Sequence, residues 1–161
     1  MEVMRSLARD SIRIVHVEDD NDFAALSARG LRRAGFSQPV VRCRDGLCAR
    51  DYFSTIEAHA MPDVILLDLH MPGMNGLEVL SWIRESYRER DVTVVLLTSS
   101  QDPEHRRQAA ASGATAYLLK APLADILIQK LDSLIALRNR NKRAPTTTDA
   151  TLELISSGIE F

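Results

Sequence analysis

The chain reads as an α/β protein, a doubly wound parallel sheet of the (βα)5 type, and three observations predict it. Five short apolar runs recur along the sequence, each followed by a longer amphipathic segment. The runs are rich in Val, Ile and Leu with little apolar/polar alternation, as expected of parallel strands covered on both faces. Strands that alternate with helices of this length imply successive right-handed βαβ crossovers.

The first run is IRIVHV (Ile12–Val17), and the segment Asp22–Ala34 after it can place Phe23, Leu26 and Leu31 on one helical face. PVVRC (Pro39–Cys43) follows, then a predicted helix over Gly46–His59 carrying Leu47, Tyr52, Phe53 and Ile56. The third run, Val64–Leu67, ends on the carboxylate of Asp68; a Pro-Gly turn intervenes before the segment Leu77–Tyr87, with Leu77, Leu80, Trp82 and Ile83. Val92–Leu97 leads into the polar, alanine-rich segment Pro103–Ser112. Ala114–Leu119 leads into Leu123–Arg138, with Ile126, Leu127, Leu131, Leu134 and Ile135. The punctuation agrees: Gly35 and Gly113 sit where helices stop, while Asp102-Pro103 and Pro122 sit where helices start.

Size and composition narrow the function classes. A chain of 161 residues can bury one domain-sized core. Twenty basic against twenty-two acidic side chains leave a net charge of −2, which argues against a broadly basic DNA or anionic-membrane binder. No apolar run approaches the roughly 18 residues of a membrane span. The N-terminal MEVMRSLARD carries charges where a signal peptide needs apolar residues, so a cytoplasmic protein is expected. Cys43 and Cys48 match no common metal spacing and read as reduced packing thiols.

The polar residues fall where the strands stop. The first ends at Glu18-Asp19-Asp20, the third at Asp68, the fourth at Thr98-Ser99-Ser100 and the fifth at Lys120. In an open parallel sheet ligands bind beyond the carboxyl ends of the strands, where the winding direction reverses. With strand order 2-1-3-4-5, Asp19 and Asp68 sit side by side there, flanked by Thr98 and Lys120. Crowded carboxylates repel unless a cation joins them, and an all-oxygen set with waters suits Mg²⁺. A metal plus an ammonium makes a pocket for a phosphoryl group, with a hydroxyl to donate a further hydrogen bond. Asp68, at the end of the central strand, is then the nucleophile of aspartyl-phosphate chemistry, with Glu18 and Asp19 holding the metal. Each residue alone has a plainer explanation: Glu18-Asp19-Asp20 could begin a helix, and Lys120 could be a solvated loop lysine.

The motifs IRIVHVEDDND, PDVILLDLHMPGMNGLEVL, VVLLTSS and GATAYLLKAP occur in order, and from about Ser11 to Arg138 the chain resembles the receiver domain of bacterial two-component response regulators. The resemblance implies a flavodoxin-like, chemotaxis-regulator-like single domain. It implies Asp68 as phosphoacceptor from a sensor histidine kinase, and Mg²⁺ held by Glu18, Asp19, Asp68 and the main-chain carbonyl of His70. Lys120 would contact the phosphoryl oxygens, Thr98 would move toward them, and Tyr117 would swing inward behind it as a two-state switch. His70 and Ser100 stand where the family tunes its dephosphorylation rate. The family has Pro directly after this lysine; the order Lys120-Ala121-Pro122 departs from it and leaves the isomer of the Lys120–Ala121 bond open.

The expected organisation is an N-terminal extension 1–11, a receiver domain 12–140 and a C-terminal tail 141–161. The basic patch RNRNKR (Arg138–Arg143) reads as a solvated helix end, favoured by the helix dipole. A tail this short is not a DNA-binding module, so output is expected by protein contact. The resemblance places that contact, and a homodimer, on the face of the fourth helix, fifth strand and fifth helix. TLELISS in the tail is a candidate pairing arm. Single-domain receivers with such ends resemble those paired with bacterial phytochrome kinases. Three other functions compete with this one. A phosphorylation-independent receiver is disfavoured because the acidic positions, Thr98 and Lys120 are all present. A Mg²⁺-dependent aspartyl-phosphate hydrolase would carry a second Asp where His70 stands. A nucleotide-binding fold is disfavoured by the lack of G-x-G-x-x-G after the first strand.

Overall fold

The computed structural model describes residues 9–88, 90–120 and 124–143. Five strands, β1 (Ile14–Val17), β2 (Val41–Cys43), β3 (Val64–Asp68), β4 (Thr93–Thr98) and β5 (Ala116–Leu119), form one sheet in the order β2-β1-β3-β4-β5. Every pairing is parallel, with Ile14 opposite Val64, Asp68 opposite Leu97 and Thr98 opposite Leu119. Each strand is followed by a helix: α1 (Asn21–Arg33), α2 (Gly46–Thr55), α3 (Gly76–Ser86), α4 (Pro103–Ala111) and α5 (Ala124–Arg143). The predicted flavodoxin-like α/β architecture and strand order are the observed ones.

The missing alternation in the strands has a direct cause. Successive side chains point to opposite faces of a sheet, and here both faces are covered. Val15, Val17, Ile65, Leu67, Val94 and Leu96 pack on one face with Phe53 of α2 and with Leu80 and Ile83 of α3. Ile14, Val64, Leu66, Val95 and Leu97 pack on the other with Leu31 of α1 and with Leu131 and Leu134 of α5.

Element boundaries differ from the expectation in instructive places. The second helix stops at Thr55 rather than His59, because Ile56 takes extended backbone; a 3-10 turn, Ala58–Ala60, follows. The last helix runs through Arg143 rather than stopping at Arg138, and the basic patch forms its C-terminal turns, as expected. Leu26, Leu47 and Ile126 point outward rather than into the core. In α1 the inward stripe is Ala24, Ser27 and Leu31, spaced i, i+3 and i+7, and that leaves Leu26 on the far side. Pro122, the Lys120–Ala121 bond and the TLELISS arm lie outside the described residues, as do most of the two terminal segments.

Candidate functional site

Three segments bring the carboxylates together. At the end of β1, Glu18 is wholly buried, and its backbone N–H donates to Cys43 O at 3.0 Å, which ties it to the end of β2. The Arg42 guanidinium reaches across from β2 and donates to Glu18 O at 3.0 Å and to Asp19 O at 3.3 Å. Asp20 turns away from the site. Its carboxylate accepts from the N–H groups of Asp22 and Phe23 and caps α1, so of the three consecutive acids only this one serves the plainer role.

Asp68 ends β3 with 3% of its surface exposed. The turn beyond it is shaped by two glycines for two reasons. Gly73 sits at φ +78°, a backbone conformation that L side chains rarely adopt. Gly76 packs so closely that a Cβ there would stand 2.3 Å from Asp68 O. Between them Asn75 forms a capping box with Glu78, its carbonyl oxygen accepting from Glu78 N at 3.0 Å while Glu78 accepts from Asn75 N at 2.8 Å. The segment PGMNG is thus a device that starts α3 hard against the back of Asp68.

One carboxylate oxygen from each of Glu18, Asp19 and Asp68 can be chosen so that all three lie within 4.8 Å of one another. Lys120, directly after β5, extends into the same pocket. Its ammonium is 2.9 Å from Glu18 Oε2 and 3.3 Å from Asp68 Oδ1, and it lies 4.5 Å from the centre of the Phe23 ring. Burial, then the charge of Glu18, pushes the Asp68 carboxyl up to about 7, against the opposing pull of Lys120. Burial would lower the Lys120 pKa, but Glu18 and Asp68 outweigh it and hold the ammonium above its usual value. One ammonium leaves three carboxylates under-compensated. An exclusively oxygen donor set, open to water through exposed Asp19, fits a hard divalent cation such as Mg²⁺.

Thr98 ends β4 fully buried, its Oγ1 accepting from Ser100 N at 3.0 Å, and its carbonyl accepts from Lys120 N at 2.8 Å. Tyr117 is buried with its hydroxyl donating to Ser100 O at 3.2 Å, so the ring already occupies an inward position. The His70 amide donates to Asp68 Oδ1 at 3.3 Å, while its imidazole meets His105 edge to face at 5.1 Å between centroids. Ser100 Oγ in turn lies 2.8 Å from His105 Nδ1.

Sequence reasoning missed several of these neighbours. Arg42 was findable, because order 2-1-3 places its strand beside β1, with His16 opposite Arg42. Phe23, expected on the apolar face of the first helix, packs against the core there and also lies beneath the lysine. His16 is 1% exposed and 3.8 Å from Glu18 Oε2; burial, then Lys120 and Arg42, depresses its pKa to about 3, so the ring is neutral and forms no ion pair there. The edge-to-face pair of His70 and His105 joins residues far apart in the chain and carries no local signal.

Known proteins resemble the chain in the same terms. The family model described as "Response regulator receiver domain" matches residues 14–132. The probable methanogenesis regulatory protein FilR2 of Methanothrix harundinacea is 39% identical over 115 residues, covering 70% of this chain and 74% of that protein. The transcriptional regulatory protein CitT of Halalkalibacterium halodurans is 32% identical over 126 residues, 78% of this chain but only 53% of its own length. Among solved structures, the chemotaxis protein CheY4 of Vibrio cholerae aligns with a TM-score of 0.65 at 27% identity, covering 74% of this chain and 95% of that one.

Proposed function

Since the chain belongs to the response regulator receiver domain family, we propose that it is a phosphorylation switch in which Asp68 accepts a phosphoryl group from a sensor histidine kinase. Receiver domains have a signal-transduction role, partner with histidine kinases and are generally phosphoacceptors rather than enzymes in their own right. The observation that carries the reading is the clustering of Glu18, Asp19 and Asp68 at the carboxyl ends of neighbouring strands, with Lys120 paired to Glu18 and Asp68. An Asp68 carboxylate oxygen forms the new O–P bond as the P–N bond to the kinase histidine breaks, and the departing imidazole keeps the electron pair and takes up a proton. Glu18, Asp19, Asp68 and the His70 carbonyl would hold Mg²⁺, which supplies charge neutralisation for the phosphoryl oxygens. Lys120 binds one of those oxygens in exchange for its present contact with Asp68, and Thr98 offers a hydroxyl to another. Tyr117, already inward, packs behind Thr98 as the readout.

The receiver unit is proposed to span 12–140, in a cytoplasmic protein. Output and self-association are proposed at α4, β5 and α5, where Leu119 and Ile126 are exposed. Phytochrome-type kinases are the proposed partners, on the family resemblance alone. The test is intact mass after incubation with Mg²⁺ and a small acyl phosphate. The parent gains one phosphate and Asp68→Asn gains none; a gain of equal size in both would overturn the assignment.

A further inference from the structure

The opposite end of the sheet carries a second polar site that this switch does not use. A cleft of about 300 Å³ opens beside the segments leading into β1, β3 and β4, and against the last turns of α5. Its charged lining is Arg13, Arg90, Arg138 and Lys142 against Asp63 and Asp91, an excess of two positive charges. Met61, Pro62 and Val92 supply an apolar wall.

The two carboxylates are already committed. Asp63 Oδ2 accepts from Arg13 N at 2.9 Å, and Asp63 Oδ1 accepts from Arg138 Nη1 at 2.7 Å. Asp91 Oδ2 lies 3.5 Å from Arg138 Nε. The Arg138 side chain is 10% exposed, yet its Nε has no hydrogen-bond acceptor among the described residues. Arg90 and Lys142 make neither an ion pair nor a side-chain hydrogen bond among the described residues. Arg138 and Lys142 are four residues apart in α5 and therefore share a face, so two cations of the RNRNKR patch line this cleft rather than solvent alone.

We propose that this cleft binds a small phosphorylated molecule, its phosphoryl group held by Arg90 and Lys142 beside the Arg138 guanidinium and its organic part resting on Met61, Pro62 and Val92. Two uncommitted cations match a dianion. A planar guanidinium paired with a mobile ammonium suits a tetrahedral phosphoryl group, which presents oxygens in several directions. The volume is at the small end of ligand pockets and limits the guest to about the size of a mononucleotide. The walls are pre-formed, since Asp63 N donates to Arg13 O at 2.9 Å and Thr93 N to Asp63 O at 3.1 Å. The proposal is independent of phosphorylation at Asp68.

The experiment is an amide NMR titration of the full chain with adenosine monophosphate and, separately, inorganic pyrophosphate. It is run in EDTA, where the metal-free acidic pocket repels anions. The expected result is saturable shifts at Asp63, Val92 and Arg138, weakened at least ~10-fold (about 1.4 kcal/mol) in an Arg90→Gln/Lys142→Gln double variant. Those two side chains hold nothing else together, so the variant keeps its fold. No saturable shift with either probe, shifts of equal midpoint in the double variant, or shifts centred on Asp19 and Asp68 would each overturn the proposal. Equal affinity for succinate would overturn the phosphoryl assignment.

Discussion

At the scale of single residues, the site is held in tension, and titration should expose it. Without metal, burial and Glu18 raise the Asp68 carboxyl from 3.8 to about 7. A raised acid favours the folded state while it is protonated. Its contribution is complete below pH ~4, declines as pH rises toward 7, and is gone above that. Metal-free Asp68→Asn should therefore lose this segment of the stability-versus-pH curve and be more stable than the parent at pH 8 by about 2 kcal/mol, as urea unfolding at several pH values would report. Lys120 acts in the opposite sense. Lys120→Met leaves Glu18 and Asp68 facing each other without their shared counter-charge and should cost about 3 kcal/mol at pH 8. The cost should shrink at pH 5, where Asp68 holds its own proton; an unchanged cost would deny the lysine this electrostatic role.

At the scale of elements, the PGMNG turn makes α3 and Asp68 one mechanical unit. Gly76→Ala would drive a methyl group to 2.3 Å from Asp68 O, so backbone must shift at Asp68 itself. This variant should lose ~2–4 kcal/mol and most phosphate uptake in the mass assay. At Gly73 no neighbouring atom lies within 4 Å of a Cβ, and Gly73→Ala should cost only ~1 kcal/mol, from its positive φ, with uptake retained. These contrasts also mark what was legible in the chain. The strand-end acids, Thr98 and Lys120 were readable because parallel topology converts positions along the sequence into neighbours at one sheet edge. The helix caps at Asp20 and Asp102 followed local rules. The outward turn of Leu26 did not, because which of two adjacent stripes of α1 faces the sheet depends on how the helix is rotated against α5. Nor did the cleft cations, whose meeting depends on how far α5 extends beyond Arg138.

At the scale of the whole molecule, metal binding and global stability should be linked. A divalent cation held by the three carboxylates would bind the folded chain in preference to the unfolded one and should raise the melting temperature. Because a proton on Asp68 competes with the metal, the Mg²⁺-induced rise should be larger at pH 8 than at pH 5 and nearly absent in Asp68→Asn, as thermal denaturation with and without EDTA would show.

The strand order has a kinetic consequence as well. Ile14 must find Val64, and Thr98 must find Leu119, before Glu18, Asp68 and Lys120 can meet. Closing the first of these loops is entropically costly, and the approaching carboxylates add repulsion to whatever barrier includes β1–β3 pairing. Mild acid, by protonating one of them, should then speed refolding rather than only slow unfolding. Stopped-flow refolding rates between pH 5 and 8 would show whether charge at the future signalling site is already felt in the folding transition state.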